Sequence, residues 1–193
     1  MRIEVRSDCV VLDGYVNAVA RDSRPINTVA GRVVEQIKPG TFKNALEKAK
    51  NVSILLDHDE KRKLGSIEDG NLELFEDDIG LRAIAMVNDE EIISKAKKKL
   101  LKGWSFGMYV NKDIIEERGN DIPRRIVTDI DLFEVSIIDE RMTPCYTGTS
   151  IETRANKEVE VEHRSNKFTA ITENLSSINY SEYENRIKAL HQA

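Results

Sequence analysis

The chain has 193 residues, 40% apolar and 33% charged, with a net charge of −5, which is the balance of one globular domain of ordinary size plus a tail. The negative charge and the 6% aromatic share argue against a basic nucleic-acid surface or a base-stacking platform, and no apolar run is long enough to span a bilayer. The start, Met1-Arg2-Ile3-Glu4-Val5, lacks the basic-then-apolar order of a signal peptide, so a cytoplasmic setting is expected.

In chain order, Cys9 to Val19 reads as a strand with a turn or bulge at Asp13-Gly14, and Arg21 to Gly31 as an exposed loop. Val33 to Ile37 is a short strand. Pro39-Gly40-Thr41 then supplies a turn and a Thr cap for a helix from Phe42 to Lys50. Val52 to Asp57 is a strongly apolar strand. Leu64 to Ile67, Leu72 to Phe75 and Leu81 to Val87 follow as strands separated by turn residues. Asn88 or Asp89 caps a second helix that carries acids in its first turn and lysines near its end, running to about Lys102 with Gly103 as its stop. The lysines read as a solvated helix face. Trp104 to Ile115, Arg125 to Ile130 and Leu132 to Ile138 complete a mainly β, α+β body. Many strands with two inserted helices point to a small closed or partly open barrel rather than a doubly wound fold. Beyond Gly148 the chain turns polar without apolar periodicity, as a linker does. Tyr180, Tyr183, Ile187 and Leu190 then fall at helical spacing. The expected division is therefore 1–148 for the body and 149–193 for a linker and extension.

Three polar residues sit in or at the end of apolar, strand-like runs: His58 after Val52-Ser53-Ile54-Leu55-Leu56-Asp57, Ser105 in Gly103-Trp104-Ser105-Phe106-Gly107-Met108, and Glu134 in Leu132-Phe133-Glu134-Val135-Ser136-Ile137-Ile138. Burying such groups costs several kcal/mol, on the order of 2–7, unless they pair. A base, a hydroxyl and a carboxylate are the parts of a serine-nucleophile hydrolase. Strand parity puts Trp104, Phe106 and Met108 on a core face and Ser105 beside Gly107 on the other, where a missing side chain leaves room for a substrate carbonyl. Each residue also has a plainer reading. Ser105 would fill an exposed strand position, His58 would bond a neighbour, and Glu134 would pair with Arg125 or Arg141. A metal site at Asp57-His58-Asp59 would need further ligands, and the other histidines, His163 and His191, lie in the tail. Cys9 and Cys145, the two cysteines, match neither a disulfide framework nor a metal spacing; Cys145 as nucleophile lacks a neighbouring base.

Taken together and in order, these segments resemble the prohead proteases of tailed bacteriophages, the family typified by the phage HK97 enzyme. Gly14-Tyr15-Val16 opens the match, and Ile37-Lys38-Pro39-Gly40-Thr41-Phe42 resembles the family's turn. Leu55-Leu56-Asp57-His58-Asp59 with Leu64-Gly65-Ser66 resembles its histidine motif, and the Ser105 and Glu134 segments resemble its serine and acidic motifs. The likeness runs from Cys9 to Thr147. After the acidic strand the family often continues with a proline and small residues, whereas Asp139-Glu140-Arg141-Met142-Thr143-Pro144 stands here.

The resemblance implies a herpesvirus-assemblin-like β-barrel flanked by helices, over 1–148. It implies a serine endopeptidase with Ser105 as nucleophile, His58 as base and Glu134 as orienting acid, and no cofactor or metal. Its implied partners are the capsid protein precursor with its scaffold segment, the protease itself through autocleavage, and further copies in a homo-oligomer, inside the assembling procapsid in the host cytoplasm. No membrane or direct nucleic-acid partner is expected. A Gly-x-Ser-x-Gly elbow is absent, so the oxyanion donors have no sequence signature. The alternative reading is a non-catalytic scaffold or capsid-assembly module on the same fold.

Overall fold

The apolar runs of the sequence become strands, and long-range pairing gives them their order. The computed structural model describes residues 2–28 and 31–142, and the backbone of 161–165. The elements are β1 (Arg2–Val5), β2 (Val10–Ala18), β3 (Ile26–Thr28), β4 (Gly31–Ile37), α1 (Thr41–Lys48), β5 (Ser53–Leu56), β6 (Asp59–Ser66), β7 (Leu72–Glu76), β8 (Gly80–Val87), α2 (Glu90–Lys97), β9 (Gly103–Glu116), β10 (Arg124–Ile138) and β11 (Val161–Ser165). One sheet has the order β1-β2-β8-β7. The other runs β11-β9-β10-β4-β3, with β5 joining β10 to β6. Together they form a strongly curled half-barrel, mostly β with two helices, as the strand-rich sequence leads one to expect.

Strand β10 organises the site. One edge pairs antiparallel with β9 from end to end. Its other edge is shared by two parallel partners, β4 beside Arg124–Val127 and β5 beside Glu134–Ile137. The sequence reads as two strands here, broken around Asp131. The structure has one, because register shifts between Val127 and Asp129, Asp129 and Ile130, and Leu132 and Glu134 absorb the interruption. Lys48 of α1 pairs with both Asp129 and Asp131, which keeps those acids at the surface.

The core lies inside the curl. Trp104, Phe106 and Met108 of β9 are fully buried with Phe42 of α1, Leu12, Val16, Leu81 and Ile92. Phe42 meets Phe106 edge-on, centroids 5.4 Å apart, the favoured aromatic geometry. The Pro-Gly-Thr-Phe turn thus braces the strand that carries Ser105.

Local differences from the sequence reading have local causes. Thr41 is the first helical residue of α1, not its cap; Gly40 caps it with φ 86°. The carboxylate of Glu76 in β7 accepts from the Gly40 and Lys43 N–H groups at 2.6 and 2.7 Å, so a residue from another strand satisfies the helix start. Asp89 does cap α2, accepting from Ile92 N–H at 3.1 Å. That helix ends at Lys97, and Gly103 opens β9 instead of stopping a helix. A three-residue strand, β3, lies in the expected 21–31 loop, and β11 lies where a linker is expected. Cys145, His191 and the helical pattern from Tyr180 to Leu190 lie outside the described residues.

Candidate active site

His58 does not end a strand; it belongs to a two-residue turn. Leu56 and Asp59 pair across the β5–β6 hairpin, so Asp57 and His58 form its tip. Both have positive φ, 51° and 60°, as a type I′ turn requires. Asn-Gly is the favoured pair there, and a histidine in this region costs on the order of 1 kcal/mol. The surroundings hold it nonetheless. Asp57 N–H donates to the Ile137 carbonyl at 2.9 Å, and His58 N–H donates to Ser136 Oγ at 3.1 Å. Asp139 N–H donates to Asp57 Oδ1 at 3.0 Å. Three bonds from residues 136–139 thus hold a strained turn in place.

Glu134 is buried, 1% exposed, and both carboxylate oxygens are engaged. His58 Nδ1 lies 2.6 Å from Oε1, and Ser136 Oγ donates to Oε2 at 2.6 Å. A carboxylate only accepts, so Nδ1 carries the hydrogen and, in the neutral ring, Nε2 keeps the lone pair. The arginines considered as partners for Glu134 are engaged elsewhere: Arg125 with Asp113 and Glu35, Arg141 with Asp57 and Asp139. Ser136 is the residue that sequence reasoning missed. Its signal was there, since Glu134 and Ser136 are two apart on a strand and share a face.

Register brings Ser105 to that same face. Ser105 is the cross-strand partner of Ser136, and Gly107 is the partner of Glu134; directly opposed residues of an antiparallel pair point to one side with Cβ atoms about 5 Å apart. Ser105 is buried, not exposed. The space over Gly107 is also filled: a Cβ there would stand 2.5 Å from Glu134 Oε1 and 2.6 Å from Phe133 Cζ. The missing side chain therefore seats the carboxylate, where the sequence suggested room for a substrate carbonyl. The three residues singled out by sequence are thus gathered on one sheet face from three segments.

A charged cluster buttresses the turn from outside. Arg141 pairs with Asp57 at 3.1 Å and with Asp139 at 2.8 Å, and Lys95 of α2 pairs with Asp139 at 2.8 Å. Burial, followed by the neighbouring Asp139 carboxylate, pushes the Asp57 carboxyl up to about 6. Burial also opposes ionisation of Asp139, but hydrogen bonds from Arg141 and Lys95 outweigh it and hold that carboxyl below the ordinary range. An open, charged cleft of about 510 Å³ beside the turn is lined by Asp57, Asp59, Arg62, Glu91 and Arg141 among others. Among the described residues, no group of three or more His, Cys, Asp or Glu side chains is placed to hold a metal ion.

The structure thus places a histidine, bonded to a buried glutamate, by the sheet face that register gives to a serine. Residues 1–164 match the family model of the caudovirus prohead serine protease, and the chain belongs to that family. It is accordingly a serine peptidase of capsid maturation, acting within the assembling procapsid with the capsid protein as substrate. Comparison with curated proteins and with solved structures gives no match. No described helix is long and apolar enough to cross a membrane.

Proposed function

We propose that Ser105, His58 and Glu134 form the catalytic triad of an endopeptidase that removes scaffold segments from the capsid protein precursor and trims its own chain, working as a homo-oligomer. The observation that carries this reading is the 2.6 Å contact between His58 Nδ1 and Glu134 Oε1 on the face that register assigns to Ser105. The carboxylate fixes the imidazole tautomer so that Nε2 is the proton acceptor. Ser105 Oγ attacks the scissile carbonyl while Nε2 takes its proton. The same proton passes to the leaving amine as the acyl-enzyme forms. Water then attacks the acyl carbonyl and gives a proton to Nε2, which passes it to Ser105 Oγ as the acyl–oxygen bond breaks and the carboxylic acid product leaves. Glu134 stabilises the imidazolium in both halves, and Ser136 is a positioning residue that holds the carboxylate and the turn together.

The test is intact mass over time for wild type and Ser105→Ala, each alone and with the capsid precursor. Wild type should shorten the precursor and itself. Ser105→Ala should be slower by a factor of at least about 10³, with a stability loss of no more than about 1 kcal/mol from one buried hydroxyl. Equal cleavage by both proteins, or none by wild type co-assembled with precursor, ends the reading.

A further inference from the structure

Strand β9 is paired by β10 along one edge. On its other edge, among the described residues, β11 pairs only the stretch from Ser105 to Tyr109. The pairing is antiparallel, with residue 161 opposite Tyr109, 163 opposite Gly107 and 165 opposite Ser105. The five-residue ladder therefore coincides with the part of β9 that bears Ser105 and the glycine seating the Glu134 carboxylate. β11 is also the terminal strand of the sheet order.

Ladder bonds join main chain to main chain. An edge that accepts residues 161–165 accepts any extended segment. Such a segment lies about 4.8 Å from β9, with its peptide planes near the plane of the sheet. The Ser105 side chain stands out of that plane on the His58 side, so its hydroxyl meets a neighbouring peptide from the face of the carbonyl, the direction that nucleophilic attack requires. The present occupant is a five-residue edge strand, and so short an edge strand opens at low free energy.

We propose that the β9 edge from Ser105 to Tyr109 is the peptide-binding edge of this protease, taking substrate as an added antiparallel strand, and that residues 161–165 occupy it in competition with substrate. The inference rests on Ser105 being the nucleophile. An occupant of this kind lowers the fraction of binding-competent enzyme, so it raises the apparent KM and leaves kcat alone.

The experiment uses the full chain with Glu162→Pro and His163→Pro together, so that whichever of the two adjacent N–H groups faces β9 is removed. In the Ser105→Ala background, which cannot cut itself, the prolines should speed hydrogen exchange of the amides at 105–109. A synthetic peptide of residues 157–169 should restore their protection. In the active chain the prolines should lower KM for the capsid precursor by about threefold or more, with kcat within about twofold. Unchanged exchange at 105–109 overturns the occupancy, and faster exchange with an unchanged KM overturns the substrate edge. If no variant cleaves, the nucleophile reading fails on its own terms; the exchange arms still decide the strand, and failure of the peptide to protect the edge overturns it.

Discussion

The two halves of the β9–β10 hairpin are built from the same pair of strands and treat polar residues in opposite ways. Gly103–Met108 is buried throughout, whereas residues 111–116 are exposed throughout. At the buried end Ser105, Glu134 and Ser136 have lost water, and an unpaired polar group there costs on the order of 1–3 kcal/mol. Glu134 therefore takes His58 and Ser136 as partners, and Ser136 in turn holds the His58 N–H. At the exposed end Arg124 pairs with Asp22 and Glu116 in reach of solvent, and Ile114 and Ile115 stand 58% and 48% exposed. Partners within reach of water there are optional, while the buried Arg125 beside them keeps Glu35 and Asp113. The contrast shows how one strand pair supplies both a rigid site and a tolerant surface: depth decides whether a polar contact is compulsory.

The sharpest way to break this contrast is to disturb the buried end by one methyl. In Gly107→Ala the new Cβ would stand 2.5 Å from Glu134 Oε1 and 2.6 Å from Phe133 Cζ. Neither neighbour yields easily. The carboxylate is held by His58 and Ser136, and the Phe133 ring lies against Tyr109 with centroids 4.8 Å apart. Overpacking of this kind costs about 1–3 kcal/mol, and displacing the carboxylate by about 1 Å should lower kcat about 100-fold. Thermal melts and precursor cleavage read the two effects separately. Full activity in a folded Gly107→Ala protein would show that the seating of the carboxylate is immaterial.

A smaller effect sharpens the comparison at the outer wall of the turn. Asp57 has its carboxyl raised to about 6 by burial and by Asp139, so the folded state keeps a proton that the unfolded chain releases near 4. The stability contributed by Asp57 is then fully present below the ordinary carboxylate value and is lost as pH rises through about 6. Asp57→Asn keeps a residue that tolerates positive φ and an oxygen to accept from Asp139 N–H, and it removes the titration. The melting temperature of the variant should therefore fall less than that of wild type between pH 4 and 6. Parallel curves would mean that Asp57 ionises in the fold as it does in the open chain.

Much of this site was legible because burial of polar residues is a local anomaly. His58, Ser105 and Glu134 each interrupt apolar surroundings within a few positions, and the resemblance to a family ordered them. What was not legible depends on partners distant in sequence. Nothing near Asp57 announces that β5 lies parallel to the end of β10, a pairing that places Ser136 opposite Leu55 and lets its hydroxyl hold the turn. The reach of Glu76 to the start of α1 is hidden for the same reason. The continuity of β10 was obscured by Asp129 and Asp131, whose charges look like a break until bulges and Lys48 are seen to accommodate them. Gly107 shows its key property in sequence, a missing side chain, but the space it leaves is filled by the Glu134 carboxylate and not open to substrate.

At the exposed end the same logic foretells a weak response. Arg124 forks onto Asp22 with bonds of 2.8 and 2.9 Å and reaches Glu116 at 3.0 Å, good geometry by any standard. The side chains remain in reach of water, however, and an exposed pair gives back in lost side-chain freedom and salt screening much of what it gains. Arg124→Ala should lower the melting temperature by no more than about 2 °C, and the difference should shrink further near 1 M salt, where the Debye length is about 3 Å. Precursor cleavage should be unchanged, because nothing at Glu116 touches the face that holds His58. A loss of cleavage without a loss of stability would mean that the far half of the hairpin is coupled to the site or contacts substrate, and the division of β9–β10 into a compulsory end and a tolerant one would have to be redrawn.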